Sequence, residues 1–532
     1  MENPIFETDL FLKDTSLPMK LLKILFLASL IFVISCSGTK DGSQTKDDGI
    51  IEVIFLQVND VYEIAPVEGG KSGGMARVAT LRNQLLKENP NTLTVLAGDF
   101  LNPSVIATLP YDDKEKIKGR HMVDVMNHTG IDLVCFGNHE FDLKENELQQ
   151  RIDESQFQWI STNVFHKTEH GTKPFHKNQD GKKEAIPETW IWEVVDADGT
   201  KIKIGFLSAC VDSNPNDYVY YEYSFSKAFE AYQTLINSTD IVLGLTHLEI
   251  EEDMKLAEMI PNVALIMGGH NHYNMIHKVD NVVITKADAN ARTAYVHRLT
   301  YNTKTKKTKV SHELISLNES VALDPKVDAV VKKWTDLVDE KFAAQGFDPN
   351  EVLMTISVPL DGRENSVRFK QTNLGQLITK SMSMAFQNKN DCAIVNSGSI
   401  RLDDHLSGSI TQLDIIRSLP FGGKIAEVKM TGKLLQDILN EGVASKGKGA
   451  YLQWDKIEHK ELGGSWMINN EPLNPEKEYS VIVSEYLLLG LDIKALYRDA
   501  EGIIKISESA DNDPENPEND IRTAIVQYLK SR

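Results

Sequence analysis

The chain has 532 residues, 41% of them hydrophobic and 25% charged, the composition of a soluble globular protein too long for one ordinary core, so at least two domains are expected. A formal net charge of −20 argues against a surface that tracks a nucleic-acid polymer, and admits small phosphorylated ligands where metals or arginines reverse the field locally. The four cysteines, Cys36, Cys135, Cys210 and Cys392, have no paired spacing, so neither a thiolate metal site nor a disulfide framework is indicated.

Residues 1–18 carry Glu2, Glu7, Asp9 and Asp14, the wrong charge to open a secretory signal, so Met19 is read as the working start. Lys20 and Lys23 lead into an apolar run at 24–34, too short for a comfortable membrane span, which closes in Val33-Ile34-Ser35-Cys36. A buried core helix is the competing reading. The terminal position and the polar stretch after it favour export. The closing tetrad resembles a bacterial lipobox, which implies lipid on Cys36 and a membrane anchor, and Ser37 resembles the outer-membrane sorting pattern. An outer-membrane lipoprotein, or a periplasmic or cell-surface location, is expected. Residues 1–36 are thus an extension plus signal peptide, and 37–48 a linker.

From residue 51 to about 317, apolar strand-like runs alternate with amphipathic helical stretches such as 75–86 and 122–128, as in a layered α/β domain. Five strand-like runs end in polar residues of metal-ligand type, at the strand ends where open α/β sheets bind ligands. Residues 51–58 run into Asn59-Asp60, and 92–97 into Gly98-Asp99. Residues 131–136 run into Gly137-Asn138-His139-Glu140-Phe141-Asp142, 240–245 into Thr246-His247, and 263–267 into Gly268-Gly269-His270-Asn271-His272. Oxygen and imidazole donors without thiolates suit divalent Zn, Mn or similar ions, and a shared carboxylate lets two of them reach one phosphate.

This ordered set resembles the calcineurin-like metallophosphoesterase superfamily. The resemblance implies a four-layer α/β-β/α domain with two divalent metal ions, in which Asp60 and His272 hold the first, Asn138, His247 and His270 the second, and Asp99 bridges them. His139 and Asp142 form the catalytic dyad, and a metal-bound water attacks the phosphorus. Asp142 can also be read as a helix N-cap, and Glu140 and Phe141 as scaffold. Tyr62 departs from the family, which has histidine there. It is read as a wall residue or hydrogen-bond donor near the first metal, with ligation as phenolate to iron the sharper alternative, which predicts a coloured protein.

Asp324-Pro325 punctuates the chain before a helical pattern that reaches residue 342. The catalytic domain is therefore placed at 49–318, a connecting helix at 319–344 and a second, smaller α/β domain at 345–532. That domain contains helical runs at 373–386 and 432–439, the latter with Thr431 as N-cap and Gly442 just past its end, and an acidic, proline-containing loop at 507–520. Arg368 before Asn373-Leu374-Gly375, Asn396-Ser397-Gly398-Ser399-Ile400-Arg401, Leu419-Pro420-Phe421-Gly422-Gly423, and Tyr486 with Asp492 resemble the carboxyl-terminal domain of the 5′-nucleotidase/UDP-sugar hydrolase family. By that resemblance Arg368, Asn396 and Arg401 hold a nucleotide or nucleotide-sugar, Phe421 and Tyr486 sandwich the base, and Asp492 binds ribose. Ser399 and Leu491 stand where the family often has glycine. The function implied is release of phosphate from nucleotides. Within enzymes the alternative is a 2′,3′-cyclic nucleotide phosphodiesterase/3′-nucleotidase. From another class it is a catalytically impaired nucleotide- or metal-binding surface lipoprotein.

Overall fold

The computed structural model describes residues 47–112, 115–212, 216–344, 346–402, 404–460 and 465–532. The segment read as a signal peptide, with Cys36, lies outside them. Among the described residues, 47–48 and 197–199 group apart from the rest, with the Asp48 N–H donating to Asp198 Oδ2 (3.0 Å).

In the large remaining unit the elements begin β1 (Ile50–Val58), α1 (Met75–Glu88), β2 (Thr92–Ala97), α2 (Arg120–Thr129), β3 (Leu133–Cys135), α3 (Glu145–Glu154) and β4 (Gln158–Ile160). They continue with β5 (Thr189–Val195), β6 (Lys201–Cys210), α4 (Ser224–Leu235), β7 (Ile241–His247), α5 (Ile250–Met259), β8 (Leu265–Gly268), β9 (Met275–Val279), β10 (Val282–Lys286), β11 (Thr293–Asn302) and β12 (Lys307–Ser316). One six-stranded sheet has the order β12-β11-β1-β2-β3-β4 and a second β9-β10-β8-β7-β6-β5.

The two sheets face each other across one apolar layer. In β1, Ile51, Val53 and Phe55 point into that layer beside Phe206, Leu243 and Met267 of the second sheet, whereas Ile54, Leu56 and Val58 point outward under α1. Both faces are buried, which is why the run reads as continuous apolar sequence rather than alternation. α1 covers the first sheet through Val78, Leu81 and Leu85 at helical spacing, and α4 and α5 cover the outer face of the second. The expected four layers, helix on sheet on sheet on helix, are present. Cys135 and Cys210 are buried in them as free thiols, and burial pushes both far above the usual thiol range, so they are inert core residues.

The helix α6 (Pro325–Ala343) follows, with Asp324 accepting from the Lys326 and Val327 N–H groups and Pro325 in its first turn. The second α/β part is a five-stranded sheet flanked by apolar clusters on both faces. Its elements are α7 (Asn373–Ala385), β13 (Cys392–Asn396), β14 (Ile425–Thr431), α8 (Gly432–Ala444), β15 (Leu452–Asp455), β16 (Glu478–Ser484) and β17 (Ile503–Ser507), in the strand order β15-β13-β16-β14-β17. Two expectations at helix ends are corrected. Thr431 does cap α8, accepting from the Leu434 N–H, but the helix runs on to Ala444 and Gly442 lies inside it. A Cβ on Gly442 would sit 2.6 Å from Leu452 Cδ1, so the glycine serves close helix–strand packing rather than termination. Asp142 does not cap a helix. It ends a short 3₁₀ turn, and α3 begins at Glu145 with Lys144 in the cap position.

Candidate active site

The parallel strands β1, β2 and β3 of one sheet and β7 and β8 of the other end at the same edge, and the predicted ligands stand on those ends. Asp60, Asp99 and His270 all adopt positive φ, at 52°, 55° and 75°. Such backbone costs of order 1–3 kcal/mol per residue and persists where the surroundings enforce it. The enforcement is visible in the adjoining glycines: a Cβ on Gly137 would lie 2.1 Å from Asp99 Oδ1, and one on Gly269 would lie 2.1 Å from Ala97 O.

Asp60 and Asp99 are fully buried. Asp60 accepts from Asn59 Nδ2 (2.7 Å) and the His270 N–H (3.0 Å), and Asp99 Oδ1 accepts from the His139 N–H (2.8 Å). His247 donates from Nδ1 to Ala97 O (2.7 Å), which leaves Nε2 facing inward, 3.0 Å from Asp99 Oδ2 and 3.9 Å from Asp60 Oδ1. His272 Nε2 lies 3.5 Å from Asp60 Oδ1. Asp99, His247 and His270 each place a donor atom within 4.8 Å of the other two.

These residues fit a cation. Asn138 Oδ1 is buried and makes no hydrogen bond among the described residues, an arrangement proteins avoid unless another ligand takes the lone pair, and His247 Nε2 is buried with only carboxylates before it. Burial works against a charged His247, yet the Asp99 and Asp60 carboxylates outweigh it and push its proton affinity up to about 9. Burial likewise works to raise Asp99, and the His247 and His139 rings hold it far below the usual carboxylate range. Two desolvated carboxylates in one pocket demand positive charge, and the donor set of carboxylate, amide and imidazole suits a divalent ion.

Tyr62 is 3% exposed and belongs to this cluster rather than to its wall. Its Oη lies 3.0 Å from His272 Nε2, 3.2 Å from Asp99 Oδ2 and 3.4 Å from Asp60 Oδ1.

His139 and Asp142 are brought together as expected: His139 Nδ1 lies 2.8 Å from Asp142 Oδ2, which also accepts from Asn102 Nδ2 (2.7 Å) and faces Arg401 Nη2 (3.4 Å). Burial works to raise the Asp142 carboxyl, but His139 and Arg401 hold it below its ordinary value. It therefore stays an acceptor for the ring.

Glu140 is more than inert scaffold. Its two oxygens accept four backbone N–H bonds, from Gly137 (2.7 Å), Asp99 (2.9 Å), Phe100 (2.8 Å) and Leu101 (3.1 Å), and so clamp the end of β3 to the end of β2. The sequence reading of Glu140 as scaffold agrees with this role but not with its partners, because nothing local shows which backbone donors a buried carboxylate will meet.

The residues of the second part gather around a cavity of about 640 Å³ lined by Arg368, Asn396, Arg401, Phe421, Tyr486 and Asp492. Phe421 and Tyr486 are 68% and 42% exposed, so neither is a core residue. Ser399 is not a passive replacement: its hydroxyl donates to Asn396 Oδ1 (2.7 Å), Asn396 Nδ2 donates to Asp492 Oδ2 (2.8 Å), and Tyr486 Oη donates to Asp492 Oδ1 (3.1 Å). Arg368 also lines a second cleft of about 320 Å³, which contains Asn138, His139, His270 and His272. The metal-ligand edge and the aromatic cavity thus meet at Arg368, whose Nη1 pairs with Glu364 Oε1 at 2.6 Å. Two ion pairs that the sequence did not announce tie the parts together: Arg417 to Glu63 (2.8 Å) and Arg292 to Asp404 (2.7 Å).

Residues 53–274 match the family model of calcineurin-like phosphoesterases, and residues 352–497 that of the 5′-nucleotidase C-terminal domain. The chain is 26% identical over 512 residues to the 5′-nucleotidase of Bos taurus, covering 84% of this chain and 85% of that one. It is 25% identical over 468 residues to the trifunctional nucleotide phosphoesterase protein YfkN of Bacillus subtilis (strain 168), covering 80% of this chain but 30% of that longer protein. The crystal structure of a 5′-nucleotidase precursor from Thermus thermophilus shares the fold, with a TM-score of 0.62 at 22% identity over 90% of this chain and 96% of that one. With both domains matched in order, the chain belongs to the 5′-nucleotidase family of metallophosphoesterases, hydrolases of phosphoester bonds.

Proposed function

We propose that this chain is an exported, lipid-anchored phosphohydrolase that releases phosphate from nucleotides, of 5′-nucleotidase or UDP-sugar diphosphatase type, with a catalytic domain at about 49–318 and a nucleotide-holding domain at about 345–532. The observation that carries the reading is Arg368, which borders both the aromatic cavity and the cleft of His139. A nucleoside seated between Phe421 and Tyr486 would have its phosphate directed past this guanidinium. Arg368 and Arg401 supply the positive charge that an anion needs on so acidic a protein. Anchoring rests on the sequence before residue 47 alone.

Asp60, Asp99, Asn138, His247, His270 and His272 would hold two divalent ions, Zn, Mn or similar. When bound, these would polarise the phosphoryl oxygens and acidify the attacking water. The chain's own part is positional and acid–base. Asp142 accepts from His139 Nδ1, favours the protonated ring and leaves Nε2 to donate a proton to the departing oxygen. Asn102 and Arg401 hold Asp142 in turn. The contacts of Tyr62 with three proposed ligands support the donor reading; phenolate ligation would need iron.

Metal analysis combined with a substrate panel tests all of this. The expected result is a colourless protein with bound divalent metal that releases phosphate from AMP, GMP and UMP and splits UDP-glucose. A visible absorption band on iron loading would assign Tyr62 as a ligand. Preference for 2′,3′-cyclic nucleotides, or no metal-dependent release from any substrate, would overturn the proposal. In the same assay Phe421→Ala and Tyr486→Ala are expected to raise KM roughly 5- to 100-fold and similarly for every base, because stacking is worth about 1–3 kcal/mol per base and does not read base edges.

A further inference from the structure

Lys286 and Asp253 lie behind the two histidines assigned to the second metal, and both side chains are 0% exposed. The Lys286 ammonium donates to Leu248 O, the residue after His247, to Gly269 O (2.8 Å), the residue before His270, and to Asn271 Oδ1 (2.8 Å), the residue after it. Asp253 Oδ2 stands 2.8 Å from the same nitrogen, and Asp253 Oδ1 accepts from Thr246 Oγ1 (2.6 Å), on the residue before His247. Asn271 Nδ2 continues the chain to Glu249 Oε2 (2.9 Å), and the other Glu249 oxygen lies 3.3 Å from His270 Nε2.

A buried ammonium so near a cation site would repel the cation, and a buried ion pair adds little to stability on its own. Its contacts explain why it is there: apart from the Asp253 carboxylate, each acceptor it meets belongs to a residue flanking His247 or His270. We infer that Lys286, neutralised by Asp253 and extended through Asn271 to Glu249, is a positioning network that fixes the two imidazoles of the second metal. The backbone of the strained His270 turn is held from behind by Lys286, and its ring is aimed by Glu249. With Nε2 facing Glu249, His270 keeps Nδ1 for a metal, whereas His247, with Nδ1 on Ala97 O, keeps Nε2.

The inference rests on the reading of these histidines as metal ligands, and the experiment separates the two. Mn²⁺ binding to the metal-stripped full chain is measured by chelator competition, together with the metal-free melting temperature, for wild type, Glu249→Gln and the double variant Asp253→Asn/Lys286→Met, which removes both buried charges at once. The wild type is expected to bind two equivalents. Each variant should keep the first constant and weaken the second about 10- to 100-fold, the usual loss when a ligand's supporting partner is removed. For Glu249→Gln the metal-free melting temperature should stay unchanged and kcat should recover at saturating Mn²⁺. If the double variant does not fold, Glu249→Gln alone decides. Two unchanged constants in Glu249→Gln, or equal weakening of both, would overturn the inference. A wild type that binds no second equivalent would overturn the metal reading and this one with it.

Discussion

His139→Ala is expected to lower kcat for phosphate release from AMP by about 10²- to 10⁴-fold, with little change in KM or metal content. General-acid catalysis by one positioned side chain is worth about that factor, equivalent to about 3–5 kcal/mol of barrier. The ring is 4% exposed and fixed through Nδ1 to Asp142, so its other nitrogen presents a proton without reorganisation. The backbone N–H of residue 139 still reaches Asp99, and Asp142 keeps Asn102 and Arg401 as partners, so the fold should survive and the melting temperature should move little. Asp142→Asn should cost less, since an amide oxygen still orients the ring but no longer favours its protonated form. Activity of His139→Ala within threefold of wild type, at full metal occupancy, would rule out the role.

The next residue along gives the opposite outcome. Glu140→Gln is expected to destabilise the protein by about 3–5 kcal/mol, because one oxygen that accepts two backbone N–H groups becomes an amide that faces them as a donor, and an unsatisfied buried donor costs about 1–3 kcal/mol. For a chain of 532 residues that unfolds as a whole, that is a fall of roughly 3–5 °C in melting temperature. Burial, aided by the Asp99 carboxylate, pushes Glu140 up to about 7 while the Phe100, Leu101 and Gly137 N–H donors pull the other way. Any activity lost should follow unfolding, and thermal denaturation beside kinetics at low temperature separates the two. An unchanged melting temperature would mean that the four bonds are not worth their geometry.

The neighbours His139 and Glu140 also mark how far the sequence could be read. The five strands and their polar ends were legible because a short apolar run closed by ligand-type residues, at three of the five after a glycine, is a local pattern. Two of the three strained positions follow a glycine, in Gly98-Asp99 and Gly269-His270, whereas nothing local marks Asp60. The partners of buried charges were not legible. Lys286 meets Asp253 across 33 positions and Glu140 meets Phe100 across 40, and such contacts exist only once the sheets have been ordered. Helix ends failed for a related reason. Gly442 carries the signature of a terminus, but the close approach of Leu452 gives it another use that no local rule foresees.

The ion pairs Arg417–Glu63 and Arg292–Asp404 lie in a seam between the part that carries the metal ligands and the part that carries the aromatic cavity. Sliding an apolar seam keeps its surfaces matched at each step, whereas a guanidinium drawn from its carboxylate in a largely buried contact has no intermediate partner except water. Parting the halves would thus admit water to these pairs before the parts could move far. While the pairs hold, the register between cavity and strand ends is set by charges, and the spacing from the aromatic cavity to His139 is as discrete as the pairing itself.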